Sequence, residues 1–264
     1  MKLQIIGAGV LGQATGKGFS RLGHEVTFVD SDPKVLDGLA RELFYTFSGP
    51  ISGTDVYFIC TPERAVEEVV SEVVGVLRKH VGPHNIPVVI RSTVPPGTAR
   101  RLRGELHRPI LSNPEFLREA VAEFDFLNPP GIIIGVDPPD HNCVARMREL
   151  YEPFRKPLHF VNTITAELTK LAVNAYLACQ ISYWNQVKLL ADKLGVNSQE
   201  VGMLACFGDG RVSPYGSRMH GKAYGGKCLP KDLRQLLLLS GEWLVDNSLL
   251  DAIAHVNRVY GGEG

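Results

Sequence analysis

The chain has 264 residues, with 28 Lys plus Arg set against 28 Asp plus Glu, so its formal charge balances. That length can bury a sizeable core as one large or two small domains, and the balance leaves no global electrostatic case for nucleic acid or an anionic membrane as partner. No apolar stretch approaches the ~20 residues of a membrane span. Met1 leads directly into an apolar run, so a cleavable signal peptide is not expected. The five cysteines lack any CxxC pair, which points to reduced thiols in the cytoplasm rather than a disulfide framework or a structural zinc site. His80 and His84 are four apart, but Gly82-Pro83 between them breaks the helix such spacing would need. No metal is expected.

The first elements read as a nucleotide-binding unit. Lys2 to Ile6 is a short apolar run, followed by Gly7-Ala8-Gly9-Val10-Leu11-Gly12, a helical pattern through Leu22, and a second strand, His24 to Val29, ending at Asp30. In strand–GxGxxG–helix–strand–acid order, Gly7 and Gly9 allow a tight turn and close approach of the backbone to a pyrophosphate, and Gly12 allows close helix–strand packing. The amides of Val10 and Leu11 belong to a helix start that attracts phosphate. Asp30 can accept hydrogen bonds from a ribose diol and repels a 2′-phosphate, which favours NAD over NADP, with Lys34 nearby.

Further strands are expected at residues 55–60, 87–92 and 132–136. The first two run into polar loops, Thr61-Pro62 and Ser92-Thr93-Val94-Pro95-Pro96-Gly97-Thr98. In a doubly wound sheet the ligand lies outside the carboxyl ends of the strands, so Thr61 and Thr93 are placed to line the cofactor site; simple turn chemistry would also explain them. Arg100-Arg101-Leu102-Arg103 reads as a solvated helix face.

From Thr163 to Leu194 one helical pattern runs unbroken, with Thr163 or Thr165 as N-cap, Glu167 in its first turn and Gly195 at its end. About 30 residues span about 45 Å, a length suited to a homodimer interface. Lys170 and Asn174 share one face of it, either solvated or turned into a polar cavity. A short helix is expected from about residue 198, a Gly-rich loop from 207 to 226, helices from about 230 and 246, and a disordered tail from 261.

Within the second half, Gly225-Gly226-Lys227-Cys228-Leu229-Pro230-Lys231-Asp232 sets a thiol among small residues, with cations and a carboxylate close by. Positive charge or a helix start favours the thiolate, and Pro230 suits a first helical turn. An ordinary loop entering a helix would carry the same pattern.

Five segments together resemble the UDP-glucose/GDP-mannose dehydrogenase family. They are the N-terminal GxGxxG, Ser92 to Thr98, Asn113-Pro114-Glu115-Phe116-Leu117-Arg118-Glu119, Glu167-Leu168-Thr169-Lys170-Leu171-Ala172-Val173-Asn174, and Gly225 to Asp232, in the family's order and over nearly the whole chain. The resemblance implies an α/β chain: a Rossmann-type doubly wound sheet over residues 1–162 that binds NAD. An all-helical domain over 163–264, built on the long helix and carrying the catalytic cysteine, would follow. It implies four-electron oxidation of the C6 alcohol of a nucleotide sugar to a uronic acid, with two NAD+ and no metal. Cys228 would form the thiohemiacetal and thioester. Lys170 and Asn174 would stabilise charge on the reacting oxygen, and Asp232 would handle water and tune Lys170. Thr93 and Glu119 would surround the catalytic water. Glu115, Phe116, Leu117, Lys170, Gly225 and the cationic loop at Arg211 would meet the substrate, and Thr61, Thr93 and Lys231 would lie close to the dinucleotide.

The departures are also informative. Family members tend to carry an Asp-Arg before the strand where this chain has Asn128-Pro129-Pro130-Gly131, and Gln13-Ala14-Thr15-Gly16-Lys17-Gly18 is unusually polar and Gly-rich for a cofactor helix. The chain ends about where a second nucleotide-binding domain would begin. A reduced grip on the nucleotide leaves two other expectations open: the same chemistry on a sugar phosphate, or an NAD-binding relative without turnover.

Overall fold

Strand β1 (Lys2–Ile6) shows how the sheet is built: Leu3 and Ile5 pack into one apolar cluster and Ile6 into another. Successive side chains of a strand point to opposite faces, so a strand buried on both faces reads as a continuous apolar run. The same holds for β4 (Val56–Ile59), whose Val56 and Phe58 face the first cluster while Tyr57 and Ile59 face the second. The computed structural model describes residues 1–79, 86–137 and 140–262. His80 and His84 lie outside them.

The chain forms two compact units, Met1–Lys170 and Leu171–Gly264. In the first, β1 is followed by α1 (Val10–Arg21), β2 (Glu25–Val29), α2 (Pro33–Arg41) and β3 (Tyr45–Phe47). After β4 come α3 (Val66–Lys79), β5 (Val88–Ile90), α4 (Thr98–Leu106), β6 (Ile110–Ser112), α5 (Ala122–Leu127), β7 (Ile132–Gly135), α6 (His141–Tyr151) and β8 (Leu158–Val161). One sheet takes the order β3-β2-β1-β4-β5-β6-β7-β8. Every neighbouring pair is parallel except β6 and β7, which meet antiparallel at Ser112 and Gly135. This is the expected doubly wound α/β sheet. β3, β6 and β8, three or four residues long, were not anticipated.

The long helix α7 is present over Thr163–Leu194, 32 residues. Its cap differs from expectation. Asn162 Oδ1 accepts the Thr165 amide at 2.9 Å, and the Thr163 amide and hydroxyl both donate to Asp137, so neither threonine caps the helix.

In the second unit α8 (Ser198–Gly208), α9 (Pro214–Met219), α10 (Leu229–Glu242) and α11 (Ser248–Val259) follow. Their core joins Ala175, Ala178 and Ile181 of α7 to Tyr224, Leu233, Ile253 and Ala254. The region expected as loop from 207 to 226 is interrupted by α9, which starts with Pro214 and is capped by Ser213. Gly262 still donates to Asn257 O, and residues 263–264 of the expected disordered tail lie outside the described residues.

Candidate active site

The GxGxxG turn is shaped by contact. A Cβ at Gly7, where φ is +91°, would lie 2.7 Å from the Cys60 carbonyl carbon, and one at Gly12 would lie 1.8 Å from Gly7 O. Only hydrogen fits, so the loop after β1 lies directly against the end of β4, at the point where strand order reverses. A Cβ at Gly9 would meet nothing within 4 Å, so the backbone there faces open space. The first helical bond of α1 runs from Gln13 N to Gly9 O at 2.9 Å. The amides of Val10, Leu11 and Gly12 therefore precede the hydrogen-bonded ladder and are left to an outside acceptor.

Asp30, directly after β2, accepts the Ala8 amide at 2.6 Å and the Asp32 amide at 2.9 Å. Its carboxylate is thus fixed against the same turn, with lone pairs to spare for a diol. Lys34 lies in the first turn of α2 and gives its amide to Asp32 at 2.9 Å. Thr61 Oγ1, just beyond β4, is buried and has no hydrogen-bond partner. An orphaned hydroxyl, a cradle open at Gly9, waiting helix amides and a pre-set carboxylate together fit a dinucleotide.

A second group forms around Lys170, which is 5 % exposed. Its Nζ lies 3.3 Å from Glu115 Oε1 and 5.5 Å from the centre of the Phe116 ring. Glu115 Oε2 also accepts the Leu117 amide at 2.6 Å, so that amide is engaged within the segment. Arg118 donates to Asp125 through its amide at 2.9 Å and its guanidinium at 2.6 Å, tying down the following turn. Thr93 is half-buried and Glu119 exposed, and among the described residues no hydrogen bond joins them.

Lys170 and the Thr93 loop are held by a reciprocal clamp. Glu167, 3 % exposed and one turn before Lys170, accepts the amides of Gly97 at 2.6 Å and Ala99 at 3.0 Å, at the start of α4. In return Asp137 holds the start of α7 through Thr163 and is gripped by Arg100 of α4 at 3.1 and 3.2 Å. Burial pushes Glu167 up to about 7 although the Ala99 and Gly97 amides oppose it. Burial would raise Asp137 as well, but hydrogen bonds from Arg100 and Thr163 outweigh it and hold the carboxyl low. Of the remaining arginines of that run, Arg101 is exposed as expected and pairs with Glu67 and with Glu105, whereas Arg103 is half-buried.

In the second unit Cys228 is the exposed cysteine at the N-cap of α10. Its carbonyl accepts the Asp232 amide at 2.9 Å, and Pro230 sits in the first turn. The thiol thus stands at a helix start, where free amides and the positive end of the dipole favour a thiolate. Beside it a depression of about 500 Å³ is lined by Gly225, Gly226, Lys227, Lys231 and Arg234. Asp232 is fully buried; its Oδ2 accepts Asn174 Nδ2 at 2.5 Å, and its Oδ1 lies 2.7 Å from Lys231 Nζ, an ion pair without hydrogen-bond alignment.

Two residues outside the sequence motifs position this loop. Asn185, fully buried on α7, accepts the Gly221 amide at 2.7 Å and donates to Lys222 O at 2.9 Å. Asn257 on α11 accepts the Tyr224 amide at 2.7 Å. A buried asparagine inside an apolar helical pattern was the available signal. Arg211, expected near substrate, is 91 % exposed and chelates Asp209 at 2.6 Å.

Comparison with known proteins agrees with this geometry. The sequence models of the UDP-glucose/GDP-mannose dehydrogenase family match twice: the NAD binding domain over residues 43–155 and the central domain over residues 164–259. The chain belongs to the UDP-glucose/GDP-mannose dehydrogenase family. A model of NADP oxidoreductase, coenzyme F420-dependent, also matches residues 2–81, which hold the GxGxxG turn.

Among the family's members, UDP-glucose 6-dehydrogenase of Rhizobium meliloti is 32% identical over 97% of this chain and 67% of its own length. UDP-glucose 6-dehydrogenase YwqF of Bacillus subtilis is 30% identical over 98% of this chain and 66% of its own. A solved UDP-glucose dehydrogenase of Pyrobaculum islandicum superposes with a TM-score of 0.89 at 27% identity, covering 98% of this chain and 68% of that one. The chain thus spans about two thirds of the length of the relatives it matches. Thr93, Glu115, Phe116, Leu117 and Glu119 fall in the family's NAD binding domain, whereas Lys170, Asn174, Cys228 and Asp232 fall in its central domain.

Proposed function

We propose that the chain is an NAD-dependent nucleotide-sugar 6-dehydrogenase, converting a C6 alcohol to a carboxylate. The observation that carries this reading is Cys228: an exposed thiol at a helix start, flanked by cations and followed by the buried Asp232–Asn174 pair. We take residues 1–162 as the NAD-binding domain and 163–264 as the helical domain that bears the nucleophile. When bound, NAD+ supplies a hydride acceptor for each of two oxidations.

The chain's own residues account for the rest. Cys228 Sγ adds as thiolate to the aldehyde carbon, and the carbonyl π-pair becomes an oxyanion. The Lys170 ammonium and the second N–H of Asn174 are the donors suited to that charge. Loss of the second hydride leaves a thioester, and water adding to its carbonyl expels the thiolate and releases the carboxylate. Glu119 is the candidate base for that water, with Thr93 beside it. Overall, one alcohol, two NAD+ and one water give one carboxylate, two NADH and three protons.

Gly225, Glu115, Phe116 and Leu117 are assigned to the sugar, and Lys231, Thr61 and Asp30 to the dinucleotide. Exposed Tyr176, Tyr183, Leu190 and Leu194 on α7 support a homodimer through that helix.

The test is a panel of UDP-glucose, GDP-mannose and glucose 6-phosphate with NADH counted against substrate consumed. Two NADH per UDP- or GDP-sugar are expected, with no carboxylate from Cys228→Ala. One NADH per sugar would overturn the four-electron route, and turnover confined to the hexose phosphate would overturn the substrate class.

A further inference from the structure

Beneath the Glu115–Leu117 segment, where β6 and β7 pair at Ser112 and Gly135 and then part, lies a cavity of about 200 Å³. Arg91 lines it, and that side chain is the unusual one: the residue is 5 % exposed and makes no ion pair among the described residues. Its Nη1 donates to Asn113 Oδ1 and to the Tyr151 hydroxyl at 3.1 Å, and its guanidinium carbon lies 5.5 Å from the centre of the Phe126 ring. All three partners are neutral. Its Nε is buried without any hydrogen-bond partner.

The neighbours are already satisfied. Tyr151 donates to Asn113 Oδ1 at 2.5 Å, and Asn113 Nδ2 donates to Ile133 O at 2.8 Å. The carboxylates at the border are committed elsewhere, Glu115 to Lys170 and Asp125 to Arg118. What remains, among the described residues, is one positive charge without a counter-charge and a buried Nε–H without an acceptor. Burying an ion without a counter-charge costs several kcal/mol even after relaxation, so the charge calls for an anion. The other walls, Leu117, Phe126, Ile132 and Phe154, are apolar, and the rim at Pro129, Pro130 and Gly131 carries no charge. Water occupies about 30 Å³ per molecule in the liquid, so the space takes an organic group of several heavy atoms.

We propose that this cavity is a binding site for a small organic carboxylate, its oxygens on Arg91 and its apolar chain against Phe126, Phe154 and Leu117. Nothing in the proposed dehydrogenase chemistry uses Arg91, although the cavity shares Glu115, Phe116 and Leu117 with the segment assigned to the sugar.

The experiment follows the Arg91 Nε–H signal in the ¹⁵N-labelled full chain, assigned by its loss in Arg91→Lys. Sodium propionate should shift that signal and the Asn113 side-chain amide saturably. Propionamide, the same shape without charge, should bind about tenfold more weakly or not at all, as loss of a charge-assisted hydrogen bond implies. Arg91→Met should abolish the propionate response at Asn113. Should that variant fail to fold, the comparison of acid and amide on the unmodified chain decides alone. No saturable shift at Arg91, equal binding of the amide, or an equal shift at equal concentration of sodium chloride would each overturn the proposal.

Discussion

Cys60 and Cys228 carry the same thiol in opposite settings. Burial pushes Cys60 up to about 12, and it pushes Cys143 to about 12 as well, so neither supplies thiolate at neutral pH. Cys228 is exposed at a helix start beside Lys227 and Lys231. Iodoacetamide at neutral pH should therefore label Cys228 before any other cysteine, as peptide mass mapping would show; first labelling at Cys179 or Cys206 would refute the ranking. Glu167 offers a second test. Its folded-state value of about 7 lies above the ordinary 4.5, so the folded chain binds the extra proton. That contribution to stability is complete below the unfolded value and is lost as pH rises through the folded one. Between about pH 5 and 8 the melting temperature of the wild type should fall further than that of Glu167→Gln. Equal slopes would show that the Gly97 and Ala99 amides hold the carboxylate ionised throughout.

At the scale of elements, α1 shows why a local rule can reverse. Glycine inside a helix costs ~1 kcal/mol relative to Ala, which made Gly16 and Gly18 look like defects of the cofactor helix. A Cβ at Gly16 would lie 2.3 Å from the Phe28 ring and one at Gly18 would lie 2.1 Å from the Phe126 ring. Both Phe28 and Phe126 are buried, and the helix gives way so that the rings can fill the core. Gly18→Ala should therefore destabilise by about 1–3 kcal/mol in urea unfolding rather than stabilise as propensity alone predicts. The loop that delivers Cys228 follows the same logic, since Asn185 and Asn257 satisfy its backbone groups from α7 and α11.

For the molecule as a whole, ligand binding is the decisive observable. A ligand that binds only the folded chain stabilises it by about 2.7 kcal/mol at one hundred times its dissociation constant. NAD+ should raise the melting temperature more than NADP+ at equal concentration, because the Asp30 carboxylate, fixed by the Ala8 and Asp32 amides, repels a 2′-phosphate. Asp30→Ala should reduce the NAD+ shift and narrow the gap between cofactors. A larger NADP+ shift in the unmodified chain would reverse the assignment.

Much of this was legible before any coordinates. The order of strand, GxGxxG, helix, strand and acid identifies the nucleotide-binding sheet, because backbone geometry and burial impose those residue types locally. The span of α7 and the first turn of α10 followed from apolar periodicity and Pro230 for the same reason. The spacing of Lys170 and Asn174 placed them on one face but could not say that Lys170 meets Glu115, or that Asn174 meets a buried Asp232. Those are contacts across 55 and 58 residues of sequence, and only packing determines them. The Asp137–Glu167 clamp, the short strands β6 and β8, the aromatic rings that explain Gly16 and Gly18, and the unpaired charge of Arg91 likewise belong to tertiary structure. Sequence by itself determined which chemistry the chain is equipped for, since that depends on residue types at short spacing. The fold decided which of those groups are exposed, charged and held in place, since burial and long-range contact exist only once the chain has closed on itself.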